Sequence, residues 1–321
     1  MKRRRFVLFL AVSFGALIIC PWIGERNISP FELLYGGSFL EAQIFWQIRI
    51  PRAMMAWSAG AALGICGMVF QAMFRNPMAE PSLLGISSGA ALGAAATIRF
   101  APAAAGFTLT TSAFFGAMLS TLIISTFARF VRGTKDATLL LAGVAISALF
   151  SSLIMVFQFT GGATESYRLL SWAMGGINAI GISEGLQVMP SLLIAGALAM
   201  YYSTELDLMA LGDDMAASRG VELERTKRVL FIGLSMSIAV AVANTGPIAF
   251  LGLIAPHVAR GAVGPRHFRL TVFTAIIGGS ALLICDTVAR TLWAPADIPV
   301  GIVVSFLGVP FFLWLLFINR T

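Results

Sequence analysis

Charged residues are scarce in this chain of 321 residues: 12% are Asp, Glu, Lys or Arg, against 58% hydrophobic. That is roughly half the charged share of an ordinary soluble domain. With a mean hydropathy of +0.87, a water-soluble globule is excluded and an integral membrane protein is expected. Lysine is rarer still, and Lys2, Lys135 and Lys227 follow Met1, Thr134 and Thr226. A phosphate-binding P-loop needs a Gly-Lys pair, so ATP hydrolysis by this chain alone is excluded. The two histidines, His257 and His267, have no carboxylate or cysteine at ligand spacing. G-x-S-x-G and H-E-x-x-H are absent too, so hydrolytic and zinc-dependent chemistry has no candidate. Cys20, Cys66 and Cys285 lie singly inside apolar runs, which suits core positions and excludes a disulfide framework or metal-ligand pattern. The net charge of +7 would suggest nucleic acid in a soluble protein. In a membrane chain it is first a matter of loop placement, and no nucleic-acid partner is expected.

What remains is apolar sequence in runs long enough to cross a bilayer. Ten are expected, at about 6–24, 53–73, 83–98, 107–130, 138–159, 187–202, 229–244, 248–259, 270–292 and 299–318. The eighth is too short to span and reads as a half-helix inside the protein, where broken backbone is tolerated. The start, Met1 to Arg5 followed by Phe6 to Ile19, resembles a secretory signal. No A-x-A site follows it, and Cys20, Pro21 and Trp22 continue the apolar run, so it reads as a retained first helix.

With the N-terminus inside the cell, sixteen of the twenty-two Lys and Arg residues fall on the cytoplasmic side, while acidic residues divide almost evenly. The positive-inside rule therefore places both termini in the cytoplasm. A multi-pass protein of the bacterial inner membrane, surrounded by lipid, is expected.

One long polar segment interrupts this pattern. Ser203 to Arg228 holds ten of the chain's thirty-seven charges, and the topology puts it in the cytoplasm. Small residues recur every fourth position at Gly60 and Gly64, then at Gly85, Gly89 and Gly93, a spacing that lets helices pack closely. Transporters driven by a coupling ion keep ionisable groups at mid-membrane depth. Here Asp286 is the one acidic residue well inside a span, with Arg290 four residues on. An intrahelical ion pair is the plain reading. Arg49 and Arg52 lie just before the second run, and they can anchor the chain at the interface or offer bidentate partners to carboxylates.

The stretch from Arg49 to Ala90, RIPRAMMAWSAGAALGICGMVFQAMFRNPMAEPSLLGISSGA, resembles the signature of the FecCD-type permeases of ABC importers for iron-siderophores, haem and cobalamin. TGPIAFLGLIAPHVAR, Thr245 to Arg260, and PADIPVGIVVSFLGVPFFLWLL near the C-terminus extend the likeness over essentially the whole chain. The resemblance implies a BtuC-like type II importer fold: an all-α permease of about ten transmembrane helices in one domain, residues 1–321. It also implies a homodimer, two ATPase subunits that hold ATP and Mg, and a periplasmic or lipid-anchored substrate-binding protein. No cofactor is implied on this chain.

By the same likeness, Arg49, Arg52 and Arg290 receive the binding protein's glutamates, which favours docking over the plain pair with Asp286 for Arg290, although the two could alternate. Residues 203–228 become the ATPase-coupling loop. Its core would be Leu211, Gly212, Asp213, Asp214, Met215, Ala216, Ala217, Ser218, Arg219 and Gly220, with the small residues inserted and Asp213, Asp214 and Arg219 as a polar rim. A pathway at the dimer interface would pass Phe150, Met155, Phe157 and Gln158, narrowing inside near Asp136, Ala137 and Thr138. No His or Tyr matches a pore position that could ligate haem iron, which favours a ferric siderophore over haem or cobalamin. A secondary transporter or channel working without an ATPase is the alternative.

Overall fold

A computed structural model describes the backbone of residues 2–24, 28, 39–101, 106–130, 135–292, 294 and 296–318. Side chains are described for these except residues 2–9, 83, 128–130, 135–137, 316 and 318. The described chain is helical, with no strand among those residues. Its helices are α1 (Lys2–Ile19), α2 (Phe39–Met73), α3 (Ile86–Phe100), α4 (Phe107–Phe130), α5 (Lys135–Thr160), α6 (Ala163–Ala173) and α7 (Ile182–Leu186). Then follow α8 (Met189–Tyr201), α9 (Ser203–Leu211), α10 (Asp213–Ser218), α11 (Leu223–Thr245), α12 (Leu251–Val263), α13 (His267–Leu292) and α14 (Val300–Ile318).

Each of the ten apolar runs expected from the sequence lies on a helix. Among the described residues, six helical stretches are long and apolar enough to cross a membrane: Phe39–Met73, Phe107–Phe127, Thr138–Thr160, Ile182–Tyr201, Leu223–Thr245 and His267–Thr291. Leu10–Trp22, Leu251–Val263 and Val300–Leu315 are shorter apolar helices, and α3 fills the third run. At about 1.5 Å per residue, the 13 residues of α12 reach roughly 20 Å, short of a hydrocarbon core of about 30 Å. The eighth run is the expected half-helix.

α2 runs through the middle of the bundle, packed against α13, α12, α8, α7 and α11, and 89% of its most apolar window is buried by protein. α4 and α5 stand at the outside, with 28% and 17% of theirs buried. The glycine spacing explains how α2 becomes so enclosed. A Cβ on Gly60 would stand 2.3 Å from the Gly278 carbonyl oxygen on α13, so these two backbones touch. In α3, Gly89 and Gly93 meet Gly116 and Ser112 of α4 in the same way. Gly85 departs from the expected helical face: it turns the chain ahead of α3 with φ 75°.

Two of the prolines in helices, Pro51 and Pro256, leave carbonyls that are answered from another element. Pro51 cannot donate to Gln47 O, which accepts from the backbone N–H of Gly181 at 2.7 Å. Pro256 cannot donate to Gly252 O, which accepts from Gln71 Nε2 at 3.0 Å. Inside a membrane protein such replacement is what permits a break in the helical ladder. The first of these also moves a boundary. Read from sequence, Arg49 and Pro51 precede the second helix; in the structure the helix starts at Phe39 and passes Arg49 in a π-turn, Phe45–Arg49. α6 was not expected either, because Thr164, Glu165, Ser166 and Arg168 give it no apolar run.

Candidate functional site

Polar side chains gather at two ends of the bundle. From Arg52 to Met73 is 22 residues of continuous helix, or about 30 Å, close to the thickness of a hydrocarbon core.

At the arginine end, the packing of α2 on α13 brings Arg49, Arg52 and Arg290 together around Asp286 and the turn Cys20–Trp22. Arg52 Nε donates to Asp286 Oδ1 and Oδ2 at 3.0 and 3.1 Å, and Nη2 lies 3.0 Å from Oδ1. Its outward edge donates to Asp297, Nη1 to Oδ2 at 2.9 Å and Nη2 to Oδ1 at 3.3 Å. Asp286 is 1% exposed and Asp297 54% exposed. Arg49 is buried and donates through Nη1 to the carbonyls of Pro21 and Trp22 at 3.2 and 2.9 Å. Arg290 donates through Nη2 to Cys20 O at 2.6 Å, while its Nε lies 3.9 Å from Asp286 Oδ2 without a hydrogen bond. The intrahelical pair expected from the i,i+4 spacing therefore exists, but Arg52 holds the Asp286 carboxylate more closely.

At the other end, α9 and α10 meet at Gly212, whose φ of 130° turns the chain sharply between them. Asp207 on α9 accepts from the backbone N–H of His267 at 2.8 Å and lies 2.6 Å from its Nδ1. This fastens the loop to the first residue of α13. Asp213 accepts from Lys227 Nζ at 3.0 Å and lies 3.6 Å from Arg75, which ties α10 to α11 and to the end of α2. Asp213 was expected in a polar rim beside Asp214 and Arg219; it is half-buried, with its Oδ1 shut away from water, whereas those two are exposed. Ala216 is buried, and Leu211, Met215, Ala217, Ser218 and Gly220 are exposed. Two large apolar side chains, Leu211 and Met215, thus stand in the open on a polar face.

Between the ends, a cavity of about 640 Å³ lies against α14, lined by Ser82, Met174, Pro247, Ile248, Ile302 and Phe306 among others. Next to its lining residue Ala249 stands a constrained residue. Phe250 has φ 67°, uncommon for a bulky side chain. The buried Glu80 carboxylate accepts from the Phe250 N–H, and the Phe250 ring stands where a side chain on Gly308 of α14 would be.

The pathway residues named from sequence scatter. Phe150 is buried in the chain's own core, Phe157 packs on Phe100 with ring centroids 5.4 Å apart, and Met155 is exposed. Thr138 and Gln158 are half-buried. The side chains of Asp136 and Ala137 lie outside the described residues. Large exposed apolar side chains crowd α5 and α14, Leu149 and Phe159 on one, Phe306 and Trp314 on the other.

Sequence reading missed Glu80, Asp207, Phe250 and Asp297. Glu80 and Asp297 carried a signal, since each is the one carboxylate in a linker between apolar runs. Among the described residues, no three His, Cys, Asp or Glu side chains are grouped so as to hold a metal ion.

Comparison with known proteins agrees with this architecture. Residues 7–318 match the FecCD transport family. The iron(3+)-hydroxamate import system permease protein FhuG of Bacillus subtilis is 33% identical over 318 residues, 97% of this chain and 93% of that one. The vitamin B12 import system permease protein BtuC of Klebsiella pneumoniae is 37% identical over 322 residues, 99% and 95% of the two chains. A solved structure of a metal-chelate type ABC transporter, in an inward-facing conformation, superposes with a TM-score of 0.85 at 28% identity, covering 99% of both chains. A match of this length, to a bundle whose half-helix, glycine contacts and two polar ends are already explained by its own residues, makes this chain a member of the FecCD transport family.

Proposed function

We propose that the chain is the permease subunit of an ABC importer that carries a bulky metal chelate inward, with a ferric siderophore as the first cargo to test. The observation that carries this reading is the pair of polar ends joined by α2 and α13. Asp207 with His267 fastens one end of α13 to the loop, and Asp286 with Arg52 fastens the other to α2. A protein with two partner faces, one receiving cargo and one receiving work, needs such a connection.

In this reading the arginine end faces the periplasm and docks a substrate-binding protein, while residues 203–228 face the cytoplasm and dock an ATPase subunit through exposed Leu211, Met215, Asp214 and Arg219. The whole chain acts as one membrane domain with both termini inside. A second copy packs along the exposed faces of α5 and α14, and the cargo passes between the copies. Thr138, Met155 and Gln158 contribute to that passage, together with the cavity against α14. This chain binds no cofactor; ATP and Mg sit on the ATPase. Closure of the ATPase dimer moves the loop, and one rigid-body shift of the copies exchanges the open side.

Haem is the second reading for the cargo, favoured by one observation. His257 of α12 is exposed with its ring 5.8 Å from that of Phe311 on α14, which puts an imidazole beside a helix of the proposed passage.

Reconstitution in proteoliposomes tests the function. Uptake of ferric siderophore is expected to require the binding protein, the ATPase subunit and ATP together. Uptake by the permease alone would overturn the reading in favour of a secondary transporter or channel. Uptake of haem in place of siderophore, lost on His257→Ala, would select the second cargo.

A further inference from the structure

The Arg52 guanidinium holds two carboxylates that differ in one decisive respect. Asp286 takes the inner edge and is 1% exposed, whereas Asp297 takes the outer edge and is 54% exposed. Breaking the inner contact would strand a buried charge, which is costly. The outer contact is an exposed ion pair of the kind that contributes about 1 kcal/mol or less, so a competing carboxylate can replace it.

The two neighbouring arginines are committed elsewhere. Arg49 donates to the carbonyls of Pro21 and Trp22, and Arg290 donates to that of Cys20. The outward edge of Arg52 is accordingly a ready-made bidentate carboxylate slot, filled by a residue of the same chain. Asp297 also lies three residues before Val300, the first residue of α14, so its attachment fixes how the chain enters that helix.

We infer that Asp297 is a built-in competitor of the docking partner. A carboxylate of the binding protein takes its place on the outer edge of Arg52, and the released Asp297 frees the entry to α14. This rests on the docking reading above and adds to it a residue that sets the partner's affinity and links docking to the helix beside the cavity.

The test measures binding of the purified substrate-binding protein of the same importer to the full permease–ATPase complex in lipid nanodiscs. Asp297→Asn is expected to tighten binding about two- to fivefold, the range an exposed pair can supply. Asp297→Glu, which keeps the carboxylate, is expected to stay within about twofold of wild type. Arg52→Lys keeps a cation beside Asp286 but loses the fork, and in that background Asp297→Asn is expected to change binding by less than about twofold. Tightening by the same factor in both backgrounds would mean a general charge effect and overturn the proposal. Unchanged or weaker binding in Asp297→Asn would also overturn it, while docking on Arg52 would still stand if Arg52→Lys weakens binding. Binding indifferent to Arg52→Lys and to neutralising the partner's own carboxylates would overturn the docking reading and the competitor with it.

Discussion

Arg52 of α2 grips both oxygens of Asp286 on α13, at 3.0 and 3.1 Å, across 234 residues of sequence. The pair joins the helix at the centre of the bundle to the helix that reaches the loop, and it does so where the carboxylate is almost wholly removed from water.

Asp286→Ala should therefore be among the most damaging single changes in the protein. It leaves Arg52 and Arg290 without their buried counter-charge, a loss of roughly 3 kcal/mol or more. Asp297→Ala removes an exposed partner of the same guanidinium and should cost about 1 kcal/mol at most. Thermal unfolding of the purified permease in detergent checks both, and equal midpoints for the two variants would refute the division of Arg52 into an inner and an outer edge.

Asp207→Ala should loosen the joint between α9 and α13. It strips a carboxylate from the His267 N–H and ring, and leaving such groups unpaired costs about 1–3 kcal/mol. Hydrogen exchange at residues 203–211 should accelerate. ATP consumed per cargo moved should rise while the ATPase still co-purifies. Unaltered exchange and coupling would show that the joint transmits nothing.

Asp213 and Asp214 are neighbours with opposite surroundings, so charge reversal should separate them. Asp213→Lys faces Lys227 and Arg75 and should disturb the loop itself, visible as faster proteolysis there even without a partner. Asp214→Lys is expected to leave the isolated permease intact and to weaken ATPase co-purification severalfold. If co-purification and uptake both survive in Asp214→Lys, the exposed face of α10 is not the contact.

Glu80→Ala should act through Phe250. With its N–H released, Phe250 can leave the left-handed region, whose occupation costs on the order of 1–3 kcal/mol, and its ring can withdraw from Gly308. Uptake should fall severalfold, whereas Glu80→Gln, which keeps an acceptor oxygen, should retain most of it. Equal uptake by the two variants would show that the Glu80 contact to Phe250 has no part in transport.

Much of this was legible in the residues because a membrane imposes local rules. Apolar runs must be helical, as lipid offers no hydrogen bonds to an open backbone, so the positions of all ten and the shortness of the eighth could be counted. Gly60 could be recognised as a contact from its spacing, yet nothing local names Gly278 as its partner. Phe150 and Met155 lie on one helix with one composition, and only packing turns the first into the core and the second outward. Asp213 reads as polar rim for the same reason that Asp214 does; its pairing with Lys227 and Arg75 depends on where α10 comes to rest. Arg49 lies inside a helix whose Gln47 carbonyl, which Pro51 cannot serve, accepts from Gly181, 134 residues away in sequence.

By itself, then, the sequence determined that the chain is helical, that it is apolar enough to cross a membrane, that it holds no Gly-Lys pair, and that its charge concentrates in residues 203–228. Those properties follow from composition and from short-range periodicity. Which carboxylate faces which arginine was decided only by the tertiary structure. Asp286, Arg290 and Asp297 are within a dozen residues of one another, but the cation that binds two of them comes from α2, and no local pattern reports a contact made by folding.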